Sequence, residues 1–479
     1  MAISSQGIGS GLDVNSIVTQ LVAIEKQPLT QLKSKATTLQ TQLSLYGTFK
    51  SQASALADAA ATLALNSGWN IQKASSSNPS AVAVSLSGAA TAASLSVEVE
   101  RLAQAQSSAS AGVLAGSAIG AAGTITIQLG TWSGTSTAQS FSAGSATAVG
   151  VSVAATDTTT QIAAKINAAN AGVTATVLRD GLNERLVLKA SSTGAASGFS
   201  VATSGDAGLE QFALNDSAGP VDPTNTAPSS GMVLSQLPLD AKVKINGVSV
   251  AASSNKLTDI VPGMSLQLTQ TTTSPVAITV EDDLTAIQKN VQTFIDAYNA
   301  LNSTIASATK YDAATKTGGP LQGDFTTLGL QSALRSVLGS SSSTGGAFAR
   351  LSDVGIERQT DGSLKLNTTK FTAALADLPN LKKLFTTDNN DAGTNGFGLK
   401  VRDVARQLVA YDGRVSTKAT SLQNALNRNS KDQDRVNERA TQVEANLRKQ
   451  YTALDTQMAK WTSLGTYMTS QVAQWNKSS

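Results

Sequence analysis

The sequence predicts an α+β multidomain chain with long terminal coiled-coil-type helices, a helical leg domain and two β-rich head domains, one inserted in the other. Three observations carry that prediction. Apolar residues recur at steps of three and four near both ends. Alternating apolar runs joined by turn signals fill the middle, and two low-complexity stretches bracket a better-patterned insertion. At 479 residues the chain is too long for one core, since domains run to roughly 100–200 residues each.

The first helix is read from Leu29 onward, through Leu32, Ala36, Leu39, Leu43, Tyr46, Phe49, Ala53, Leu56, Ala60 and Leu63. Pro28 suits its start or a break, and Gly68 and Asn70 end it. The far end repeats the pattern through Val415, Ala419, Leu422, Leu426, Val436, Ala440, Val443, Leu447, Leu454, Met458 and Trp461. Polar Asn429, Gln433 and Gln450 stand at seam positions. At about 1.5 Å per residue this second helix is expected to reach on the order of 70 Å. Buried polar residues in such a seam weaken it but fix register. Charges between Arg428 and Lys449 alternate in sign, with Glu444 and Arg448 at a favourable spacing, which reads as a solvated face.

Between the ends, Val82–Leu86 and Leu95–Val99 alternate. Val243 and Ile245 lead through Asn246-Gly247 to Val248 and Val250, the strongest short hairpin signal. Pro262-Gly263 marks another turn before Leu266, Leu268, Val276, Ile278 and Val280. These separated blocks read as one β domain interrupted from about Gln104 to Gly231. Its flanks, 107–123 and 204–231, are rich in small residues and read as loops or linkers. The centre holds a strand at Ile125–Leu129, a helix over Thr158–Ala169 and a returning hairpin, Val173–Val177 with Leu186–Leu188. A further helix starts after Glu281-Asp282-Asp283, where carboxylates favour the dipole and caps. A hairpin turns at Asp361-Gly362, and Asn367 caps a short helix.

Composition narrows the chemistry. There is no histidine and no cysteine, so disulfides, thiolate zinc sites and Ser-His-Asp or Cys-His catalysis are excluded. A net charge of +3 argues against a nucleic-acid binder, and no apolar run approaches the roughly 18 residues of a membrane span. The first basic residue is Lys26, so no secretory signal is expected at the start. Gly7, Gly9 and Gly11 lack the strand of a dinucleotide site, and Asp388–Asp391 lacks the ligands of a calcium loop. No enzyme activity, cofactor or metal is expected.

Four segments carry a resemblance. The run Gly7–Val18, followed by Leu21, Glu25 and Pro28-Leu29, resembles the opening of the flagellar hook-associated protein 2 family, which caps the filament. Leu351–Phe385 is similar to that family's central region, and Leu464–Met468 through Trp475-Asn476 to its C-terminus. Thr158–Gly194, centred on Ile166-Asn167 and Gly172-Val173, resembles a small motif found inserted in flagellins and hook-associated proteins.

The resemblance implies a secreted protein, exported through the flagellar type III apparatus and placed at the distal filament tip. It implies a homo-oligomeric ring of about five or six subunits that helps exported flagellin fold and insert and prevents its loss. Implied partners are flagellin, the hook–filament junction proteins and an export chaperone; nucleic acid and membrane insertion are not. Adhesion to host surfaces is a property of some relatives, and a surface adhesin or carbohydrate-binding protein with helical anchoring ends is the alternative reading. The expected division is 1–42 with 413–479 as a terminal coiled-coil domain, and 43–78 with 282–412 as the leg. The β-rich head is 79–103 with 232–281, and 104–231 is the insertion. Oligomerisation and filament docking are expected at Ile17, Leu21, Leu32, Leu39, Leu43, Val436, Val443, Leu447, Leu454, Met458 and Trp461.

Overall fold

The computed structural model describes residues 13–88, 93–135, 138–214, 217–218 and 231–476. The glycine-rich opening, Gly7–Leu12, lies outside them. The chain divides into two units. One is helical and built from the chain up to Trp69 and from Leu284 onward; the other, Asn70–Asp283, is β-rich. The helices are α1 (Val14–Glu25), α2 (Gln27–Ala64), α3 (Thr159–Ala168), α4 (Leu284–Thr309) and α5 (Phe325–Gly339). After them come α6 (Thr368–Leu375), α7 (Leu378–Thr386), α8 (Phe397–Val409) and α9 (Arg414–Trp475).

Helix α2 is one unbroken rod of 38 residues with Pro28 in its first turn. Its buried face, from Tyr46 to Leu63, sits among apolar residues of α4, α7 and α8. The expected division at 42–43 therefore falls inside a continuous helix. The tightest approach is to α8: a Cβ on Gly398 would stand 2.6 Å from the Ala64 nitrogen, so glycine is what lets these backbones meet. Trp69 is fully buried where the chain leaves this unit. Its indole donates to the Leu63 carbonyl at 2.7 Å and its ring lies 5.1 Å from that of Phe385.

Helix α9 runs for 62 residues, about 90 Å, which exceeds the expected length because it continues past Trp461 to Trp475. One column, apolar except at Gln433, recurs every seven residues along it: Ala419, Leu426, Gln433, Ala440, Leu447, Leu454, Trp461, Met468 and Trp475. Asn429 is buried in the companion column and accepts from Gln433 at 2.7 Å, while its own amide donor has no partner. The helix is fixed at its base by a carboxylate. Asp324 caps α5, accepting from the Thr327 amide at 2.9 Å and the Tyr46 hydroxyl at 2.6 Å, and it pairs with the Lys418 ammonium at 2.6 Å. Three helices, α2, α5 and α9, thus meet on one acid.

The β-rich unit holds two separate cores. The first comprises a five-stranded antiparallel sheet in the order Gln72–Ser76, Val276–Asp282, Ala93–Arg101, Ala241–Ile245, Val248–Ala252, together with a three-stranded sheet of Lys256–Val261, Met264–Leu268 and Val82–Leu86. They bury Val82, Val97, Val99, Val243, Leu266 and Ile278 between them. The Asn246-Gly247 turn joins two strands as the sequence predicts. Residues 72–76 were expected in the leg, but pair with 278–282 as an edge strand of this sheet. Glu281 and Asp282 likewise finish a strand instead of opening α4.

The second core is built from residues 105–234. Here the expected linker at 107–123 is an ordered part of the core. Ser107–Ala109 forms a strand, and Gln106 is buried as a polar hub. Its carbonyl accepts from the Phe199 amide at 2.7 Å and the Trp132 indole at 2.9 Å, and its amide donates to the Phe199 carbonyl at 2.8 Å. Small side chains signal close packing as readily as a loop, and here they pack. Of the second flank, Leu209 and Phe212 are also core residues, whereas 219–230 lies outside the described residues.

The Ile166-Asn167 pair has a clear physical role. Ile166 is fully buried, and Asn167 faces the free edge of strand Val173–Asp180. Its amide donates to the Ala175 carbonyl at 2.8 Å and its carbonyl accepts the Ala175 N–H at 2.7 Å, as a neighbouring strand would. Gly172, at φ +77°, makes the turn between helix and strand.

Two predictions follow from these contacts. Asn167→Leu leaves both Ala175 backbone groups unpaired, so denaturant unfolding should show a loss of about 1–3 kcal/mol and faster amide exchange at Ala175. The second concerns Asp324. Burial opposes its charge, but hydrogen bonds from Lys418, Tyr46 and the Thr327 amide outweigh that and lower its pKa from 3.8 to about 2. Because the folded pKa lies below the unfolded one, the stabilisation is complete above about pH 4 and is lost as pH falls towards 2. That shift corresponds to about 2 kcal/mol. Asp324→Asn should therefore cost about 2 kcal/mol at neutral pH and almost nothing near pH 2; a penalty independent of pH would exclude the ionised pair as its source.

Candidate docking surface

The described residues offer little to chemistry. No group of three acidic, histidine or cysteine side chains among them could hold a metal ion, and no helix is long and apolar enough to cross a membrane. The carboxylates of Asp388 and Asp391 accept the backbone amides of Asn390 and Gly393, so they are engaged in turns. What the helical unit presents instead is apolar surface.

Helix α1 seats on α9. Asp13 caps it, accepting the Ser16 amide at 3.0 Å, and Val14, Val18 and Val22 are buried against Ala440 with Leu447 and Tyr451 alongside. Glu25 pairs with Arg439 at 2.5 Å and Asn15 with Arg448 at 3.0 Å, so α1 runs antiparallel to α9. Short β-branched valines spaced four apart fit against Ala440, where longer side chains would stand off. Ile17 and Leu21, the residues expected to dock, are on the flanking face: Ile17 is half-buried, and Leu21 and Ile24 are exposed.

The companion column of α9 changes side beside α1. Up to Val443 it follows the heptad column by three residues, at Leu422, Asn429, Val436 and Val443. Beyond Leu447 it follows by four, at Tyr451, Met458, Gly465 and Val472. Gln450 is consequently exposed and Tyr451 takes the seam place that the sequence reading gave to it.

The remaining expected residues divide into two groups. Leu32, Leu39, Leu43, Val436, Val443 and Leu447 are half-buried within the helical unit. Leu32 and Val436 come together in a groove of about 670 Å³ whose other walls include Lys35, Arg435 and Arg439. Leu454, Met458 and Trp461 are open to solvent, at 45, 41 and 61% of their full exposure. The expected docking set ends at Trp461, but the exposed stripe continues through Leu464, Tyr467, Met468, Val472 and Trp475. The same seven-residue spacing was the signal that would have extended it. Phe325, at the start of α5, and Tyr411, in the turn before α9, are also almost fully exposed; lone aromatics outside a periodic apolar face carry no sequence signal.

Comparison with known proteins agrees with this architecture. Family models described as the N-terminus and C-terminus of flagellar hook-associated protein 2 match residues 10–106 and 239–463, and a flagellin hook IN motif matches 124–192. Flagellar hook-associated protein 2 of Escherichia coli K12 is 28% identical over 482 residues, covering 98% of each chain. That of Salmonella typhimurium LT2 is 28% identical over 321 residues, covering 65% of this chain and 66% of its own. A crystal structure of the D1-D2-D3 domains of the flagellar cap protein FliD from Escherichia coli aligns with a TM-score of 0.58 at 26% identity, covering 79% of this chain and 99% of that one. With both ends matched by models of one family and full-length relatives sharing its name, the chain belongs to the flagellar hook-associated protein 2 family.

Proposed function

We propose that this protein is exported to the distal end of the flagellar filament and caps it, as a homo-oligomeric ring beneath which arriving flagellin folds and inserts. The observation that carries the reading is the exposed seam of α9 from Leu454 to Trp475, anchored on a folded helical unit. A helix with an open apolar stripe gains stability only when a second helix covers it. In this reading the stripe, with Ile17 and Leu21 of α1 and the half-buried Leu32, Leu39, Leu43, Val436, Val443 and Leu447, forms the contact region for filament subunits and neighbouring copies. The division into terminal coiled coil, leg, head and insertion belongs to the same proposal, as do contacts with junction proteins and an export chaperone. Structural rather than enzymatic work suits a chain without histidine or cysteine.

The test uses positions whose replacement leaves the fold intact. Leu454→Asp with Trp461→Asp alters two exposed side chains, so helicity and melting should stay near wild type. Cells carrying only this variant should release flagellin monomer into the medium and build short or no filaments, as cells lacking the gene should. Normal filaments on those cells would sink the docking role of the seam, and normal filaments on the deletion strain would sink the cap itself.

A further inference from the structure

The insertion leaves one sheet edge partly uncovered. In strand Val173–Asp180 every second residue turns its N–H and C=O away from the neighbouring strand Asn183–Ala190, and Ala175, held by Asn167, is one of these. Val177 and Arg179 are in step with it, and no described residue bonds their backbone groups. Elsewhere in the β-rich unit an edge is spoiled: strand Lys256–Val261 carries a register shift with Asp259 at φ +56°, a device that hinders edge-to-edge pairing. Here Asn167 covers Ala175 alone, so the edge stays open from Thr176 to Asp180, up to the turn at Gly181. The surface beside it is apolar. Leu178 and Leu182 stand at 59 and 81% of full exposure, and Leu114, on the strand that pairs with Asn183-Glu184, at 60%.

We propose that two copies of this chain join their insertions edge to edge through Thr176–Asp180, antiparallel about a two-fold axis at Leu178. Val177 of each copy then faces Arg179 of the other in a hydrogen-bonded pair, and the open groups make about four new backbone bonds. Leu178 faces Leu178 in a non-hydrogen-bonded pair, the arrangement that brings side chains closest. Three features favour a second copy as the occupant. The open stretch is bounded evenly about Leu178, so Asn167 of one copy, which closes Ala175, meets the turn glycine Gly181 of the other. Nothing lies within 4 Å of where a Gly181 Cβ would be, so that place has room. The reversal also sets Arg179 beside Val177 and Asp180 beside Thr176, so no like charges face each other; a parallel, in-register pair would stack Arg179 on Arg179. A two-fold contact is isologous, whereas a ring closes through heterologous contacts, so this one is additional to ring closure. Strands of this length bury less than about 1,000 Å², which belongs to the weak, transient class and acts together with other contacts between copies.

The chain has no cysteine, so introduced thiols report this contact without background. In the full-length protein, Leu178→Cys should form a disulfide-linked dimer under mild oxidation, because facing non-hydrogen-bonded residues lie within the Cα separation that a disulfide spans. Leu182→Cys is more exposed but off the axis, and should link at least about fivefold less. Mixed Thr176→Cys and Asp180→Cys chains should link to each other and not to themselves. Adding Arg179→Pro to Leu178→Cys removes an N–H that faces the open edge, so linkage should fall at least about fivefold while circular dichroism and melting stay near wild type. Leu182→Cys linking as readily as Leu178→Cys, self-linked Thr176→Cys chains, no Leu178→Cys dimer, or undiminished linkage with Arg179→Pro would each overturn the pairing. Position-specific linkage reports this edge and filament growth reports the docking of α9, so either can fail without the other.

Discussion

A single amphipathic helix cannot bury its own apolar face, and α9 has 62 residues of one. Everything in the helical unit is arranged around that constraint. The base of α9 is held by Asp324 and Lys418, and its lower half shares a seam with α2. Its middle receives α1, and from Leu454 onward the apolar stripe is open to solvent. The shift from a three-residue to a four-residue offset at Leu447 turns the stripe towards α1 and then out to solvent. The open stripe is thus a direct continuation of the interface that builds the unit.

Charge follows the same division. Where α9 is covered by its own chain, ion pairs with Glu25 and within α9 itself, such as Glu444 with Arg448, decorate the rim. Such exposed pairs contribute little energy, but they discriminate against wrong registers. Where α9 is open, charge almost vanishes and Met, Trp and Tyr take over. Polarisable, adaptable side chains of this kind accept partners by shape. A surface of that type suits the docking role proposed for it.

The β-rich unit answers a different problem, how chains poor in large apolar residues fill a core. In the insertion, buried Gln106 and the more exposed Asn167 supply backbone-like hydrogen bonds where no strand is available, one at Phe199 and one at Ala175. Each is hydrogen-bonded on both its donor and acceptor sides, and for buried Gln106 that is the condition under which an amide adds specificity without a penalty. The result lets serine, alanine and glycine lie close together around the Phe199 and Ala175 backbone groups.

The sequence by itself determined the element types. Heptad spacing marked α2 and α9, Asn246-Gly247 marked its hairpin, and Asn367 and Thr158 marked helix starts, because each depends on neighbours a few residues away. Its matched termini also pointed to the family, and missing histidine and cysteine removed whole classes of chemistry. Only the tertiary structure decided which apolar residues are covered. Val14, Val18 and Val22 lie inside while Leu21 and Ile24 lie outside, although all five are equally apolar. It also decided that Ser107–Ala109 is core and not linker, and that Tyr451 replaces Gln450 in the seam. Periodicity says that a face is apolar; which partner reaches it depends on contacts hundreds of residues apart, and those exist only once the chain has folded.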